Sequence, residues 1–209
     1  MRERWDGLCR RLGRQTDAPA WFTILEGLHA NPIRAYHNLG HVTECLDMLE
    51  QVRSLAEDAD RLEFALWFHD CVYVPGKSDN EQRSAEVARV AALAIGQSDS
   101  WAIGVVDLIM TTRHIAPPEG NDAAIIADID MAVLAANTER YRRYAAAIRS
   151  EYGFATDEQF RAGRAAFLRG LIARPSIYFT AQLASSCERH ARANIAEELE
   201  LLEVAGRRG

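Results

Sequence analysis

The chain has 209 residues, 48% of them apolar and 26% charged, with a formal net charge of −6. That length suits one ordinary domain, able to bury a core without disulfides or a structural metal. The acidic balance, with a pI near 5.5, excludes a broad basic face for a nucleic-acid backbone, but leaves room for a small phosphate substrate at a local cationic or metal site.

Alanine, leucine, glutamate and arginine dominate, and β-branched alternation is nearly absent, so the chain reads as helical almost throughout. Helices are expected over 2–14, 18–30, 37–56, 58–71, 79–96, 98–113, 121–136, 138–152, 156–173 and 177–205. The N-terminal "MRERWDGLCRRLGRQ" is basic but lacks an apolar run, so it is a surface or packing helix rather than a secretory signal. "ANPIRAY" (30–36) breaks the second helix from the third. The third carries an apolar stripe at Val42, Leu46, Leu49 and Val52, with Cys45 and Met48 on the same side, which turns His41 inward. In the fourth, Leu62, Ala65, Leu66 and His69 share helical spacing, and Asp70 follows at the helix end.

The Pro-Gly loop "VPGKSD" (74–79) comes next, with Ser78 or Asp79 to cap the following helix. "APPEGND" (116–122) is a second loop, with Asn121 or Asp122 as cap. In "AAIIADIDMAVLA" (123–135), Asp128 and Asp130 sit inside an apolar run, a costly placement unless they are paired or bind a metal. Pro175 forces the break before the last helix, and the terminal "GRRG" is expected to fray. There is no repeat, low-complexity tract or linker, so residues 1–209 form a single domain. No apolar run approaches the ~20 residues that span a bilayer. Cys9, Cys45, Cys71 and Cys187 have no C-x-x-C spacing. They read as small buried hydrophobes in a reducing cytoplasm.

Inward histidines on two helices, an aspartate beside one of them and carboxylates in an apolar helix together suggest one metal site. Such donors suit Mn, Fe, Mg, Co, Ni or Zn. Open coordination positions would then take a water and a substrate oxygen.

The order His41, His69-Asp70, Asp130 across an all-helical chain resembles the HD superfamily of metal-dependent phosphohydrolases. The strings "YHNLGHVTECLDML", "ALWFHDCVYVPGKSDNEQRSAEVA", "TTRH", "DIDMAVLA", "IRSEY" and "RPSIYFTAQLASSCERHARANIAEEL" resemble a bacterial HD subgroup described as predicted phosphohydrolases, over about residues 20 to 202. "YHNLGH" is also similar to the Y-H-N-x-x-H string of cyclic-nucleotide phosphodiesterases. The resemblance implies an all-α, HD-domain-like helical bundle with a metal site in its core. The HD core would cover about 20–136, with C-terminal helices 137–205 packed on it.

The resemblance further implies His41, His69, Asp70 and Asp130 as metal ligands, one divalent ion per chain, and Asp128 as alternate last ligand or supporting neighbour. Asp70 would also hold or deprotonate the water. His37 matches the phosphodiesterase histidine that protonates the leaving oxygen; its plainer role is a helix cap or a carbonyl bond. Glu81 would bond a metal-bound water, with Asn80 beside it at a helix start facing the metal; the alternative is a capping pair on a solvated face. His114 is a candidate for a second metal or for phosphate, against a simple charge–dipole role. Lys77, Arg113 and Arg149 are candidates for phosphate, whereas Arg142, Arg143 and Arg161 read as solvated. Tyr178, Glu188 and Asn194 either line the pocket or lock the last helix. His29 and His190 read as structural or exposed. A G-Y-P motif after residue 114 and an HHE run are both missing, which favours one metal, while Glu81 and His114 leave a second open.

The expected function is a stand-alone cytoplasmic phosphohydrolase cleaving a phosphomonoester or phosphodiester, including that of a nucleotide. The alternatives are an HD-type di-iron oxygenase and a non-catalytic sensor of a phosphorylated ligand. The expected partner is a small phosphate ester, with neither a nucleic-acid polymer nor a membrane, and with homo-oligomerisation left open.

Overall fold

The structure, a computed structural model, describes residues 1–13 and 18–206. Ten α-helices and two 3₁₀ turns make up the described residues, without a strand among them. In chain order the helices are α1 (Arg2–Arg11), α2 (Ala18–His29), α3 (Leu39–Val52), α4 (Ala59–Phe68), α5 (Asn80–Ala94), α6 (Asp99–Thr111), α7 (Asn121–Asp130), α8 (Thr138–Glu151), α9 (Asp157–Ile172) and α10 (Ala181–Gly206). No helix among the described residues is long and apolar enough to cross a membrane. Arg14, the expected end of the first helix, and the last three residues of the "GRRG" tail lie outside the described residues.

The centre of the fold is α4. From Leu62 to Phe68 every residue is buried; all are apolar except Glu63, whose carboxylate is paired with Arg11 and Arg53. Trp5 of α1 packs on Phe64, Trp67 and Phe68, with ring centroids 5.5–5.9 Å apart. Phe22 of α2 adds a contact to Trp67. The packing role expected of the N-terminal helix therefore holds. On the other side α5 and α6 meet through small residues, Ala88, Ala91 and Ala92 against Ala102 and Val105, all fully buried.

Several boundaries differ from the sequence reading, each for a local reason. Asn38 caps α3 by accepting the Gly40 N–H at 2.8 Å, so the helix begins at Leu39 and His37 lies in the turn before it. α4 ends at Phe68, leaving His69 and Asp70 on the turn that follows. Neither Asn121 nor Asp122 caps α7; Gly120 occupies that position. Their side chains hold the turn before α4 instead, Asn121 Nδ2 donating to the Leu55 carbonyl and the Asp122 carboxylate accepting the Glu57 and Asp58 N–H groups. The expected 121–136 helix becomes α7 followed by a 3₁₀ stretch, Met131–Ala135.

The last helix starts at Ala181 because side chains take the preceding N–H groups. Glu188 accepts those of Ile177 and Tyr178, and Asp128 accepts those of Phe179 and Thr180. A buried ion pair ties the C-terminal helices together. The Arg164 guanidinium of α9 donates to both carboxylate oxygens of Glu198 of α10, which also accepts the Tyr141 hydroxyl of α8.

Candidate metal centre

His41 Nε2 lies 3.1 Å from His69 Nε2 and 3.1 Å from Asp130 Oδ1. Asp130 Oδ1 is 3.5 Å from His69 Nε2. Asp70 Oδ2 is 3.3 Å from His69 Nε2 and 3.6 Å from His41 Nε2. Three separate elements, α3, the turn after α4 and the end of α7, thus aim donors at one point. Arg34, 6% exposed, holds two of them in register. Its guanidinium donates to the carbonyls of His37 (3.2 Å), Asp70 (2.7 Å) and Cys71 (3.0 Å).

His41, Cys45, His69 and Asp130 offer ligand atoms that all lie within 4.8 Å of one another. Cys45 Sγ is 3.7 Å from His41 Nε2. The thiol follows His41 by one helical turn on the same face. That signal was available in the sequence, but the cysteine read there only as a core residue.

These spacings fit a metal. Nitrogen and oxygen donors about 2.1 Å from a shared ion, at tetrahedral or right angles, lie about 3.0–3.4 Å apart, and a thiolate at about 2.3 Å lies about 3.6 Å from them. The tautomer fits too. His69 Nδ1 donates to the Leu66 carbonyl at 2.9 Å, which leaves the Nε2 lone pair of the neutral ring facing the centre. The His41, Cys45, His69 and Asp130 group could therefore hold a metal ion, with the Asp70 carboxylate facing the same centre.

Burial disfavours a charged His69, but Asp70 and Asp130 outweigh it and raise its pKa well above the ordinary histidine value. Burial likewise works to raise Asp70 and Asp130, and the neighbouring histidines overcome it and lower both.

His37 sits at the rim, its side chain 19% exposed. Its Nδ1 is 2.6 Å from Glu151 Oε2, and Glu151 Oε1 accepts the Tyr36 and His37 backbone N–H groups. Burial opposes a charge on His37, yet the Asp70 charge and the Glu151 bond prevail and raise its pKa. The Tyr73 ring stacks on His37 with centroids 4.0 Å apart. So His37 is neither a helix cap nor bound through its ring to a carbonyl.

His114 Nε2 lies 2.8 Å from Asp130 Oδ2. Its backbone has a φ of 53°, a left-handed conformation uncommon outside glycine. Glu81 is half-buried at the start of α5, where burial, Asp70 and Asp130 raise its pKa and Arg113 opposes them. Arg113 and Lys77 are exposed.

Other candidates are occupied elsewhere. Asp128 is turned away from the cluster; it accepts the Phe179 and Thr180 N–H groups and the Thr180 hydroxyl, each at 2.7 Å. Asn80 does not face the metal centre and caps nothing. It clamps the preceding loop, accepting the Val74 N–H and donating to the Val74 and Lys77 carbonyls. The Tyr178 hydroxyl, 1% exposed, donates to the Met131 carbonyl. Asn194 donates to the Leu134 and Ala136 carbonyls. Arg149 is engaged by Asp157 and the Tyr152 carbonyl. His29 is buried, with Nδ1 on the Leu25 carbonyl, and His190 is exposed.

Reasoning from sequence missed Cys45, Arg34, Tyr73 and Glu151. Compared with protein-family models, curated proteins and solved structures, the chain matches none.

Proposed function

We propose that this all-helical protein is an HD-type, metal-dependent phosphohydrolase that cleaves a small phosphomonoester or phosphodiester. The observation that carries the reading is the convergence of His41, His69, Asp70 and Asp130 on one point beside a histidine held by Glu151. When bound by these residues, with Cys45 adjacent, a divalent ion supplies Lewis acidity toward a phosphoryl oxygen and an attacking water.

The chain's own groups manage the protons. Asp70, whose carboxylate faces the same centre, accepts the proton of the attacking water. Glu81 orients that water from the start of α5. Glu151 occupies His37 Nδ1, so Nε2 is the nitrogen that delivers a proton to the leaving oxygen. Arg113, whose charge acts on Glu81, and Lys77, exposed in the 74–79 loop, meet the phosphate charge. Asp130 is the last ligand in this reading, and His114 orients it. The four free, buried cysteines suit a reducing compartment, and we place the protein in the cytoplasm.

The test is metal content per chain after purification without added metal, in wild type and in the double variant His69→Ala, Asp70→Ala, followed by a screen of phosphate esters. About one divalent ion, lost in the variant, together with ester hydrolysis is the expected result. No metal in either protein and no uptake on reconstitution would sink the reading. Two irons with oxygen consumption would replace it by an oxygenase, and a tightly held phosphate ligand without turnover by a sensor.

A further inference from the structure

Beside the cluster lies a second space that the reading above leaves unused. It is a cavity of about 290 Å³, lined in part by His41, Cys45 and Asp130 of the cluster. Its walls are largely apolar, built from Met48, Ile129, Val133 and Ala135. A cavity of this kind, joined directly to a cluster of donors, is where the non-reacting part of a substrate would rest.

Two further observations bear on the occupant. The Tyr36 ring lines the cavity and is tilted over His41, with centroids 4.7 Å apart. An aromatic ring on the wall favours a flat, apolar occupant. At the rim, Arg140 Nε and Nη2 reach the two Glu44 oxygens at 2.8 and 2.6 Å. Each neutralises the other, so the mouth selects no charged group.

The geometry points to a chamber that receives the organic group of the phosphate ester: one compact, mostly apolar, uncharged ring system that packs on the Tyr36 ring. This rests on the hydrolase reading, which puts the phosphoryl group at the cluster. The volume falls at the lower end of the range for ligand pockets, about 300–1,000 Å³. It has room for one ring system, and a dinucleotide or a long acyl chain does not fit.

The experiment is calorimetric titration of the manganese-loaded protein with inorganic phosphate, methylphosphonate and phenylphosphonate, none of which has an ester to hydrolyse. Wild type is expected to bind phenylphosphonate on the order of tenfold more tightly than methylphosphonate. Met48→Trp and Ala135→Leu fill the chamber from different walls, and each is expected to bring the ratio of the two affinities toward one. Equal binding of both phosphonates by wild type, or a ratio that survives in both filled variants, overturns the chamber and leaves the hydrolase reading standing. Failure of phosphate and both phosphonates to bind overturns the two together.

Discussion

Asp128 and Asp130 are the same residue type two positions apart, and they should fail in opposite ways. Asp128→Asn cannot accept from all three donors it serves, the Phe179 and Thr180 N–H groups and the Thr180 hydroxyl. An unpaired buried polar group costs about 1–3 kcal/mol, and the sum here, with partial rescue by water, is about 3 kcal/mol. In a chain of this length each kcal/mol moves Tm by about 2–4 °C, so Tm falls by about 6–12 °C with or without metal. Metal at a hundred times its Kd adds about 2.7 kcal/mol, or about 5–11 °C, to wild type and to Asp128→Asn alike. Asp130→Asn weakens the site itself. A hundredfold loss of affinity leaves only about 0.4 kcal/mol of that increment at the same metal concentration, about 1 °C. Scanning calorimetry of chelator-treated and metal-loaded samples measures both quantities. An Asp130→Asn protein with the full metal increment, or an Asp128→Asn protein that loses only the increment, would refute the assignment.

Three other outcomes are expected. His37→Ala should lose about 10²–10⁴ in kcat on phenyl phosphate and under about tenfold on 4-nitrophenyl phosphate, whose leaving group needs no proton; equal losses on the two esters would exclude His37 as the acid. Arg164→Met strands the buried Glu198 charge and should cost about 3–5 kcal/mol, most of it recovered in Arg164→Met, Glu198→Leu; urea titration of both variants decides, and no recovery in the double variant counts against the pair. Burial lowers the His29 pKa from 6.5 to about 4, so the folded state resists its protonation and stability falls as pH drops from 6.5 toward 4. That contribution amounts to about 2 kcal/mol between pH 7 and pH 5. The loss should vanish in His29→Phe, and an unchanged pH slope in urea titrations would contradict it.

Most of the helical order is legible in sequence because the cues are local. Apolar spacing, the 74–79 loop and Pro175 placed the helices to within a few residues. The inward turn of His41 followed from its neighbours Val42 and Leu46, both buried. The errors fall where side chains cross between elements. Asn38 looked like part of a helix and is its cap. Asn121 and Asp122 looked like caps and serve another turn. Which of Asp128 and Asp130 faces the histidines depends on where the start of α10 docks, and no local pattern encodes that. The same distance hides Glu151, which meets His37 across 114 positions. Cys45 is different: its i+4 relation to His41 was in plain view, and only its ordinary role as a core residue masked it.

The Glu151 contact also orders events in time. Every donor at the cluster lies between His41 and Asp130, so all of them are in the chain before α8 is complete. The carboxylate that holds His37 comes later, at the end of α8. During synthesis the cluster donors are therefore made before the carboxylate that holds His37, at the far end of α8. A nascent chain stalled before residue 151 would carry every donor of the cluster and a His37 ring with no partner at Nδ1.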